Sequence, residues 1–264
     1  MLTSLKNPWV KSLRKLQQAK YRRQEQQFLV EGTHLVQEAI ATQHPLVAVC
    51  ATPEWQARYP VLWQQLVSAT ERHELVSPEV VGLIATTQTP DGVVAIASRQ
   101  SDPPAITFPH LGLLLEDIQD PGNVGTLIRT GAAVGVDGIW VTLHSVDLTH
   151  PKVLRASAGQ WFRVDKQVVT EELSAQLSTW RAQGCQVLAA ASAGAVPYWE
   201  IDLTQPTLLM MGNEGAGLSP EAIALADQTI CIPMADNVES LNVGVAAAIV
   251  LFEARRQRQQ IHRL

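Results

Sequence analysis

Apolar runs of strand length alternate with stretches of helical periodicity along the chain, and this alternation limits the possible folds more than any other feature. In the second half the apolar runs lie at residues 111–115, 138–143, 186–191, 208–211 and 229–233. Consecutive strands that are separated by helices favour parallel pairing, because a parallel neighbour needs a long crossover connection. The sequence therefore predicts an α/β fold with mostly parallel sheets.

The first half shows the same alternation. Its apolar periodicity predicts a basic amphipathic helix over residues 8–26, in which Trp9, Leu13 and Leu16 share one face. A short strand is expected at residues 28–30, and a further long helix over residues 54–68. This half should therefore form an α/β unit of its own.

A stretch without periodicity at residues 98–104 separates the two halves, and it contains Pro103 and Pro104. Adjacent prolines end a regular element, since they lack the N–H donors that a helix or a central strand uses. We therefore predict two domains, residues 1–100 and residues 108–264.

The composition is that of a globular protein. The 264 residues are 46% hydrophobic and 17% charged, which excludes a disordered or fibrous chain. Cys50, Cys185 and Cys231 are odd in number and far apart, so they predict neither a disulfide framework nor a metal-binding pair. We expect a soluble, reduced, cytoplasmic protein without a bound metal.

The charge is distributed unevenly, with basic ends on an acidic body. Residues 1–23 contain no acid and seven basic residues: Lys6, Lys11, Arg14, Lys15, Lys20, Arg22 and Arg23. Four more arginines lie from Arg255 onward, although the net charge is -5. Clustered Lys and Arg are typical of proteins that contact phosphates. RNA or DNA is therefore one expected partner, and a solvated amphipathic helix at each end is the alternative.

Three polar loops rich in glycine and asparagine follow predicted strands of the second half, at residues 116–125, 212–219 and 232–242. Ligands of open α/β sheets bind at the carboxyl ends of the strands, which is where these loops begin. Each loop alone is also compatible with a simple tight turn. The glycine spacing of the second loop differs from the dinucleotide-binding order, and no P-loop lysine follows it.

Taken together, the loops carry three recognisable motifs. The first contains DPGNVG at residues 120–125, followed by Arg129; the second is MGNEGAGLS at residues 211–219; the third combines IPM at 232–234 with ESLNV at 239–243. In this order they resemble the three motifs of the SpoU (TrmH-like) family of RNA ribose 2'-O-methyltransferases.

The first half resembles the RNA substrate-binding domain of the same family, which has an L30e-like α/β fold. The matching residues are Asn7 and Pro8, FLVEG at residues 28–32, and Gly92 with Val93 after Pro90. For the second half, the resemblance implies a SPOUT-type α/β catalytic domain that has a mostly parallel sheet and a deep trefoil knot.

The resemblance also implies the reaction, which is methyl transfer from S-adenosylmethionine to a ribose 2'-hydroxyl. Family members are homodimers whose active sites are completed across the interface. Backbone groups of the knotted loops hold the cofactor in the family. Carried over to this sequence, the cofactor-binding residues are Met211, Gly212, Ile232, Met234 and Leu241.

The implied catalytic set consists of Asn123, Arg129, Glu214, Ser240 and Asn242. The family's proposal makes Arg129 the general base, with the two asparagines and Ser240 placing it. Arginine side chains stay protonated in proteins, so this role demands unusual tuning. Equally, Arg129 could hold the target phosphate and stabilise the developing alkoxide. Glu214 would orient its loop or Arg129.

Two positions depart from the family pattern. Residues 235–237 read ADN where the family commonly has a glycine, and Gly131 replaces a usual alanine. The first departure could reshape the adenosine pocket. The second costs about 1 kcal/mol of helix propensity and changes no reacting group.

If the protein is an RNA methyltransferase of this kind, we expect its basic N-terminal helix to bind RNA phosphates through Lys11, Arg14, Lys15, Arg22 and Arg23. Ribosomal RNA is favoured over transfer RNA, because the separate substrate-binding domain resembles that of the ribosomal enzymes. The rival from another class is a non-catalytic RNA-binding or ribosome-assembly protein that retains the fold. A nucleotide-dependent oxidoreductase is a third reading, but the sequence lacks its glycine fingerprint.

Overall fold

The computed structural model describes residues 1–99, 109–169, 173–191 and 196–261. The chain forms two compact units: the first comprises Met1–Ser101 with Asp147–Arg163, and the second comprises Asp102–Val146 with Val164–Leu264. Most of the stretch predicted to separate the domains, residues 100–104, lies outside the described residues. Residues 147–163 therefore follow a strand of the second unit in sequence but pack with the first.

The helices are α1 (Pro8–Lys15), α2 (Ala19–Glu25), α3 (Thr33–Ala41), α4 (Pro53–Arg58), α5 (Pro60–Ala69), α6 (Pro78–Ile84), α7 (Pro121–Val134), α8 (Pro151–Ala156), α9 (Leu173–Ala182), α10 (Pro220–Ala224) and α11 (Val243–Ile261). The strands are β1 (Gln27–Glu31), β2 (Leu46–Ala51), β3 (Arg72–Leu75), β4 (Val93–Ser98), β5 (Leu111–Leu115), β6 (Gly138–Thr142), β7 (Lys166–Val169), β8 (Gln186–Ala190), β9 (Val196–Pro197), β10 (Thr207–Met211) and β11 (Gln228–Cys231). In the second unit, the five apolar runs predicted as strands correspond to β5, β6, β8, β10 and β11, whereas β7 and β9 were not predicted from the sequence.

The first unit contains a four-stranded sheet in the order β1-β4-β2-β3. The strand β4 is antiparallel to both β1 and β2, and only β2 and β3 are parallel. The prediction of a mostly parallel sheet is therefore wrong for this unit. The alternation of strands and helices does not set the direction in which β4 enters between its two neighbours, because long-range pairing decides that.

Two helices that the sequence predicts as continuous are broken. The predicted helix over residues 8–26 divides into α1 and α2, because Gln18 adopts an extended backbone (φ -100°, ψ 134°). The helix over residues 54–68 divides at Tyr59, which precedes Pro60. A proline disfavours helical backbone in the residue before it, which explains the second break. The apolar face of α1 is still buried, with Val10, Leu13 and Leu16 in the core of this unit.

One residue that the sequence assigned to RNA binding is a structural residue instead. The side chain of Arg22 is 1% exposed and forms an ion pair with Asp147 (Nη2 to Oδ2, 2.8 Å). Its guanidinium also donates to the carbonyl oxygens of Leu16 and Gln17, where α1 ends. Arg22 thus connects α2 to the end of α1 and to the 147–163 segment. It is not available to a phosphate.

The second unit is built on a seven-stranded sheet in the order β7-β6-β5-β10-β8-β11-β9, and each pairing in it is parallel. The prediction of an α/β fold with a mostly parallel sheet is confirmed here. Its central strands β5 and β10 are buried along their length, as expected for a parallel sheet that has both faces covered. No helix among the described residues is both long and apolar enough to cross a membrane.

Candidate active site

The three motif loops lie at one edge of the seven-stranded sheet. They follow β5, β10 and β11, and the strands β10 and β8 lie between β5 and β11 in the sheet order. Because these strands are parallel, their carboxyl ends meet at the same edge. The first loop passes directly into α7, which begins at Pro121, so that the second half of the motif sequence at residues 116–125 is helical. The Asp120 side chain accepts from the N–H groups of Gly122 and Asn123 and caps this helix.

A chain of hydrogen bonds joins one residue from each of the three motifs. The Asn123 amide donates to Glu214 (Nδ2 to Oε1, 2.9 Å) and accepts from Asn242 (Nδ2 to Oδ1, 2.8 Å). Asn242 in turn accepts from the N–H of Gly244 (2.9 Å), at the start of α11. Three of the five predicted catalytic residues are thereby held in one fixed arrangement.

Glu214 is surrounded by hydrogen-bond donors. Partial burial alone would raise its pKa, but hydrogen bonds from the Asn123 side chain and from backbone N–H groups, including those of Gln119 and Asp120, lower it overall. The two backbone donors approach at 3.3 and 3.2 Å. Glu214 is therefore ionised at neutral pH and acts as an acceptor that ties the second loop to the first, rather than as a proton donor.

A cavity of about 390 Å³ lies among these loops, within the size range of small-molecule sites. All five predicted cofactor-binding residues line it: Met211, Gly212, Ile232, Met234 and Leu241. Two predicted catalytic residues, Glu214 and Ser240, line it as well. The remainder of its wall includes small and apolar side chains from the end of β8 and from α11, namely Ala190, Ala191, Ala246 and Val250.

At Gly212 the two ends of the second loop come very close together. A Cβ atom placed there would lie 2.2 Å from both the carbonyl carbon of Gly217 and the nitrogen of Leu218. Contacts of that length with backbone atoms leave no room for a side chain. The loop therefore requires glycine at this position for a direct steric reason.

Arg129 and Ser240 are not part of the hydrogen-bonded chain. Arg129 lies on α7 with an exposed side chain, and it has neither a hydrogen-bond nor an ion-pair partner among the residues that the structure describes. Ser240 is exposed at the cavity wall. Both side chains are therefore accessible to an incoming substrate.

The two departures from the family pattern have structural counterparts. A Cβ on Gly131 would lie 2.9 Å from Cγ2 of Val136, so glycine permits the close packing at the end of α7. In the third loop, Asn237 adopts a left-handed backbone with φ 65°. Asparagine tolerates this region better than most residues, which explains how the turn is made without glycine.

The sequence analysis singled out neither Asn213 nor Glu116 as a site residue. Asn213 builds the second loop, since its Oδ1 accepts from the N–H groups of Gly215 and Ala216 at 2.9 and 3.0 Å. Glu116 follows β5 and accepts two hydrogen bonds from Ser219. Glu116 comes directly after β5, and Asn213 is the second residue after β10; polar residues so close to the ends of buried strands are well placed to hold a neighbouring loop.

The predicted RNA-binding residues lie in the first unit. Lys11, Arg14 and Lys15 are exposed on α1, and Arg23 is exposed on α2. Nearby, the Lys15 ammonium lies 5.3 Å from the ring centre of Tyr21, and the Arg72 guanidinium lies 3.7 Å from that of Trp9. Aside from Arg22, the basic residues chosen from the sequence are therefore accessible.

Two family models match two parts of the chain. That of the SpoU rRNA Methylase family matches residues 110–252, and that of the MRM3-like substrate binding domain matches residues 7–95. The first of these spans more than half of the chain. The protein belongs to the SpoU rRNA methylase family.

Similar proteins match over almost the full length. An uncharacterized tRNA/rRNA methyltransferase of Synechocystis is 44% identical over 261 residues, covering 97% of this chain and 94% of that protein. The 23S rRNA (guanosine(2553)-2'-O)-methyltransferase RlmP of Bacillus subtilis is 32% identical, covering 96% and 98%. The crystal structure of an AdoMet-bound rRNA methyltransferase from Sinorhizobium meliloti is 32% identical, with a TM-score of 0.84 and 97% of each chain covered.

Proposed function

We propose that this protein transfers a methyl group from S-adenosylmethionine to a ribose 2'-hydroxyl of RNA, with ribosomal RNA as the favoured substrate. The observation that carries the proposal is the chain of hydrogen bonds from Glu214 through Asn123 to Asn242. It connects all three motifs at the rim of a cavity, and it does so with side chains that the family resemblance marks as catalytic.

The cavity suits S-adenosylmethionine in its size and in the chemistry of its walls. Gly212 keeps the backbone free of a side chain at the closest approach of the loop ends. Apolar walls for the adenosine and the methionine part of the cofactor are provided by Met211, Ile232, Met234 and Leu241. When bound, the cofactor supplies a methyl group that its sulfonium centre has already activated.

The protein must then align the ribose hydroxyl with the methyl group and assist the loss of the hydroxyl proton. Asn123 and Asn242 would orient the nucleotide, because their amide groups are already fixed by each other and by Glu214. Arg129 and Ser240 are the accessible groups that would meet the substrate. Arg129 acts either as a tuned base or as a cation that binds the target phosphate and stabilises the alkoxide.

Methyl transfer from labelled S-adenosylmethionine to size-fractionated cellular RNA tests the proposal, with the Arg129→Ala variant alongside. We expect label in the ribosomal RNA fraction, a loss of at least about 100-fold in the variant, and nearly unchanged cofactor affinity by calorimetry. Loss of cofactor binding in the variant would contradict both roles of Arg129. Absence of both label and cofactor binding in the natural protein would favour the non-catalytic RNA-binding alternative.

Ribosomal RNA is favoured because the relatives from Bacillus subtilis and Sinorhizobium meliloti, which match across both units, are named for rRNA. The first unit also presents Lys11, Arg14, Lys15 and Arg23 on its surface, where they can bind the phosphates of an RNA of either kind. The proposed division assigns RNA binding to residues 1–100 and methyl transfer to residues 108–264, except that residues 147–163 pack with the first unit.

We further propose a homodimer formed through the catalytic unit. Leu241, Val245 and Phe252 are large apolar residues that are exposed at or along α11, and half of the Phe252 side chain faces solvent. A row of this kind beside the cavity suits a second copy of the chain. Sedimentation equilibrium should give twice the chain mass, and a monomer mass at micromolar concentration would contradict the proposal. The trefoil knot stays a prediction.

A further inference from the structure

We propose that Glu116 is a positioning residue that holds the cavity loop, defined as residues 212–218, through its hydrogen bonds to Ser219. By holding this loop it sets the affinity for the cofactor. The inference rests on the proposed function, because it concerns the same cavity, but it adds two residues to which the resemblance assigns no role.

The beginning of the cavity loop is held by Asn213. Its backbone exchanges two hydrogen bonds with that of Gly217, at 3.0 and 2.9 Å, which closes the loop into a tight hairpin. The Asn213 side chain donates to the carbonyl oxygen of Asp117 (2.8 Å), in the first motif loop. These contacts fix the shape of the hairpin and one side of its position.

The end of the cavity loop is held by Glu116. Its two carboxylate oxygens accept from the backbone N–H of Ser219 (2.8 Å) and from the Ser219 hydroxyl (2.7 Å). The backbone N–H of Glu116 donates to the carbonyl oxygen of Met211 (2.9 Å), directly before the loop. Glu116 therefore contacts the residues on both sides of the cavity loop.

The Ser219 hydroxyl has a second partner, because it accepts from the N–H of Ala222 (3.0 Å) in the first turn of α10. The same hydroxyl thus joins the end of the loop to the start of a helix. A carboxylate suits this place because it offers one acceptor oxygen to each of the two Ser219 donors, whereas a glutamine offers only one.

Loss of the hydrogen bonds at Ser219 would change the cavity. The close backbone contact of Gly212 with Gly217 leaves the loop ends no freedom while both are held. With Ser219 free, the hairpin can move as a unit, and its tip carries Glu214 away from Asn123. The cavity wall and the hydrogen-bonded chain of the three motifs would then be loosened together, although Asn213 still holds the beginning of the loop.

The test compares four variants of the full chain: Glu116→Gln, Ser219→Ala, Ser219→Thr and, as a matched control, Glu221→Gln. Glu221 lies two residues beyond Ser219 in α10 and does not line the cavity. Two quantities are measured: amide hydrogen exchange of residues 213–218, and the dissociation constant of S-adenosylmethionine by calorimetry. The exchange measurement needs neither cofactor nor RNA.

We expect Glu116→Gln and Ser219→Ala to speed exchange in the cavity loop at least tenfold and to weaken cofactor binding about tenfold. Exchange in β10 should stay unchanged. Ser219→Thr retains the hydroxyl and should restore both quantities, and Glu221→Gln should alter neither. A purely structural effect would instead speed exchange in β10 as well.

Unchanged loop exchange in both Glu116→Gln and Ser219→Ala would overturn the inference. Faster loop exchange with unaltered cofactor affinity would overturn the claim that Glu116 sets the affinity for the cofactor. If the natural protein bound no cofactor while the two variants still loosened the loop, the proposed function would fail and the structural role of Glu116 would stand.

Discussion

The cavity of the second unit and the basic surface of the first unit are both built from polar residues, but in opposite ways. Around the cavity, Asn123, Glu214 and Asn242 are bonded to one another, and the backbone at Gly212 lies against Gly217. On the basic surface the long side chains of α1 extend into solvent. One site depends on fixed positions and the other on the number of charges.

This difference has an energetic consequence. A fixed site is disturbed by a displacement of a few tenths of an ångström, because its contacts are close-packed and directional. A charged surface tolerates the loss of one member, since each exposed cation contributes a small and salt-screened amount. Single substitutions should therefore be severe at the cavity, and cumulative on the basic surface.

The largest effect is expected from Gly212→Ala. The added Cβ would lie 2.2 Å from backbone atoms of Gly217 and Leu218, so the loop must move. We expect cofactor binding to fall below detection in calorimetry. The control is Gly215→Ala in the same loop, whose Cβ would meet only the Asn213 side chain, at 3.7 Å. Similar cofactor affinities in the two variants would contradict the prediction that the backbone contact at Gly212 fixes the cavity.

The second prediction compares two neighbouring arginines of α2. Arg22→Met should lower the free energy of unfolding by about 3–5 kcal/mol, because it removes the guanidinium that pairs with the buried Asp147 carboxylate at 2.8 Å and leaves, among the described residues, only the Arg99 guanidinium, at 4.0 Å. Arg23→Met, in an exposed position, should change it by less than about 0.5 kcal/mol. Denaturant unfolding measures both free energies. Equal losses in the two variants would contradict the prediction that the buried Arg22 contributes more to stability than the exposed Arg23.

The ion pair between Arg22 and Asp147 should also make the stability of the protein depend on pH. Burial alone would raise the pKa of Asp147, but hydrogen bonds from Thr149 and the charge of Arg22 lower it overall. A carboxylate with a lowered pKa stabilises the fold above the ordinary carboxylate range, and this contribution is lost as the pH falls through the folded-state value. Arg22→Met should therefore lose less stability than the natural protein as the pH falls, because it lacks the charge that helps to lower the pKa of Asp147; denaturant unfolding at a series of pH values measures the difference.

The smallest effect per residue is expected on the basic surface. Replacing Lys11, Arg14 and Lys15 together by glutamine should weaken RNA binding about tenfold and reduce the slope of log affinity against log salt by about 2 to 3. Cofactor affinity should not change, since these residues lie in the first unit. Arg58→Gln, an exposed cation of α4, is the control. An unaltered salt slope in the triple variant would remove α1 from the RNA-binding surface.

Features that depend on local pattern could be predicted from the sequence alone. Buried strands followed by polar loops predicted the parallel sheet and the edge where the motifs meet, because strand direction and ligand position follow from the crossover rule. The motifs then identified the cavity residues, from Met211 to Leu241. Gly212 was among the residues that the motifs predicted to bind the cofactor, whereas its close contact with the backbone of Gly217 and Leu218 is seen only in the structure.

Tertiary structure alone decided the features that depend on partners far along the chain. Arg22 and Arg23 are equivalent in sequence, and only the arrival of Asp147 buries one of them. Glu116 and Ser219 lie about a hundred residues apart and meet because β5 and β10 are neighbours. The direction of β4 likewise follows from its pairing with β1 and β2. Local periodicity records which face of an element is apolar, whereas the choice among polar partners is made only when distant segments pack together.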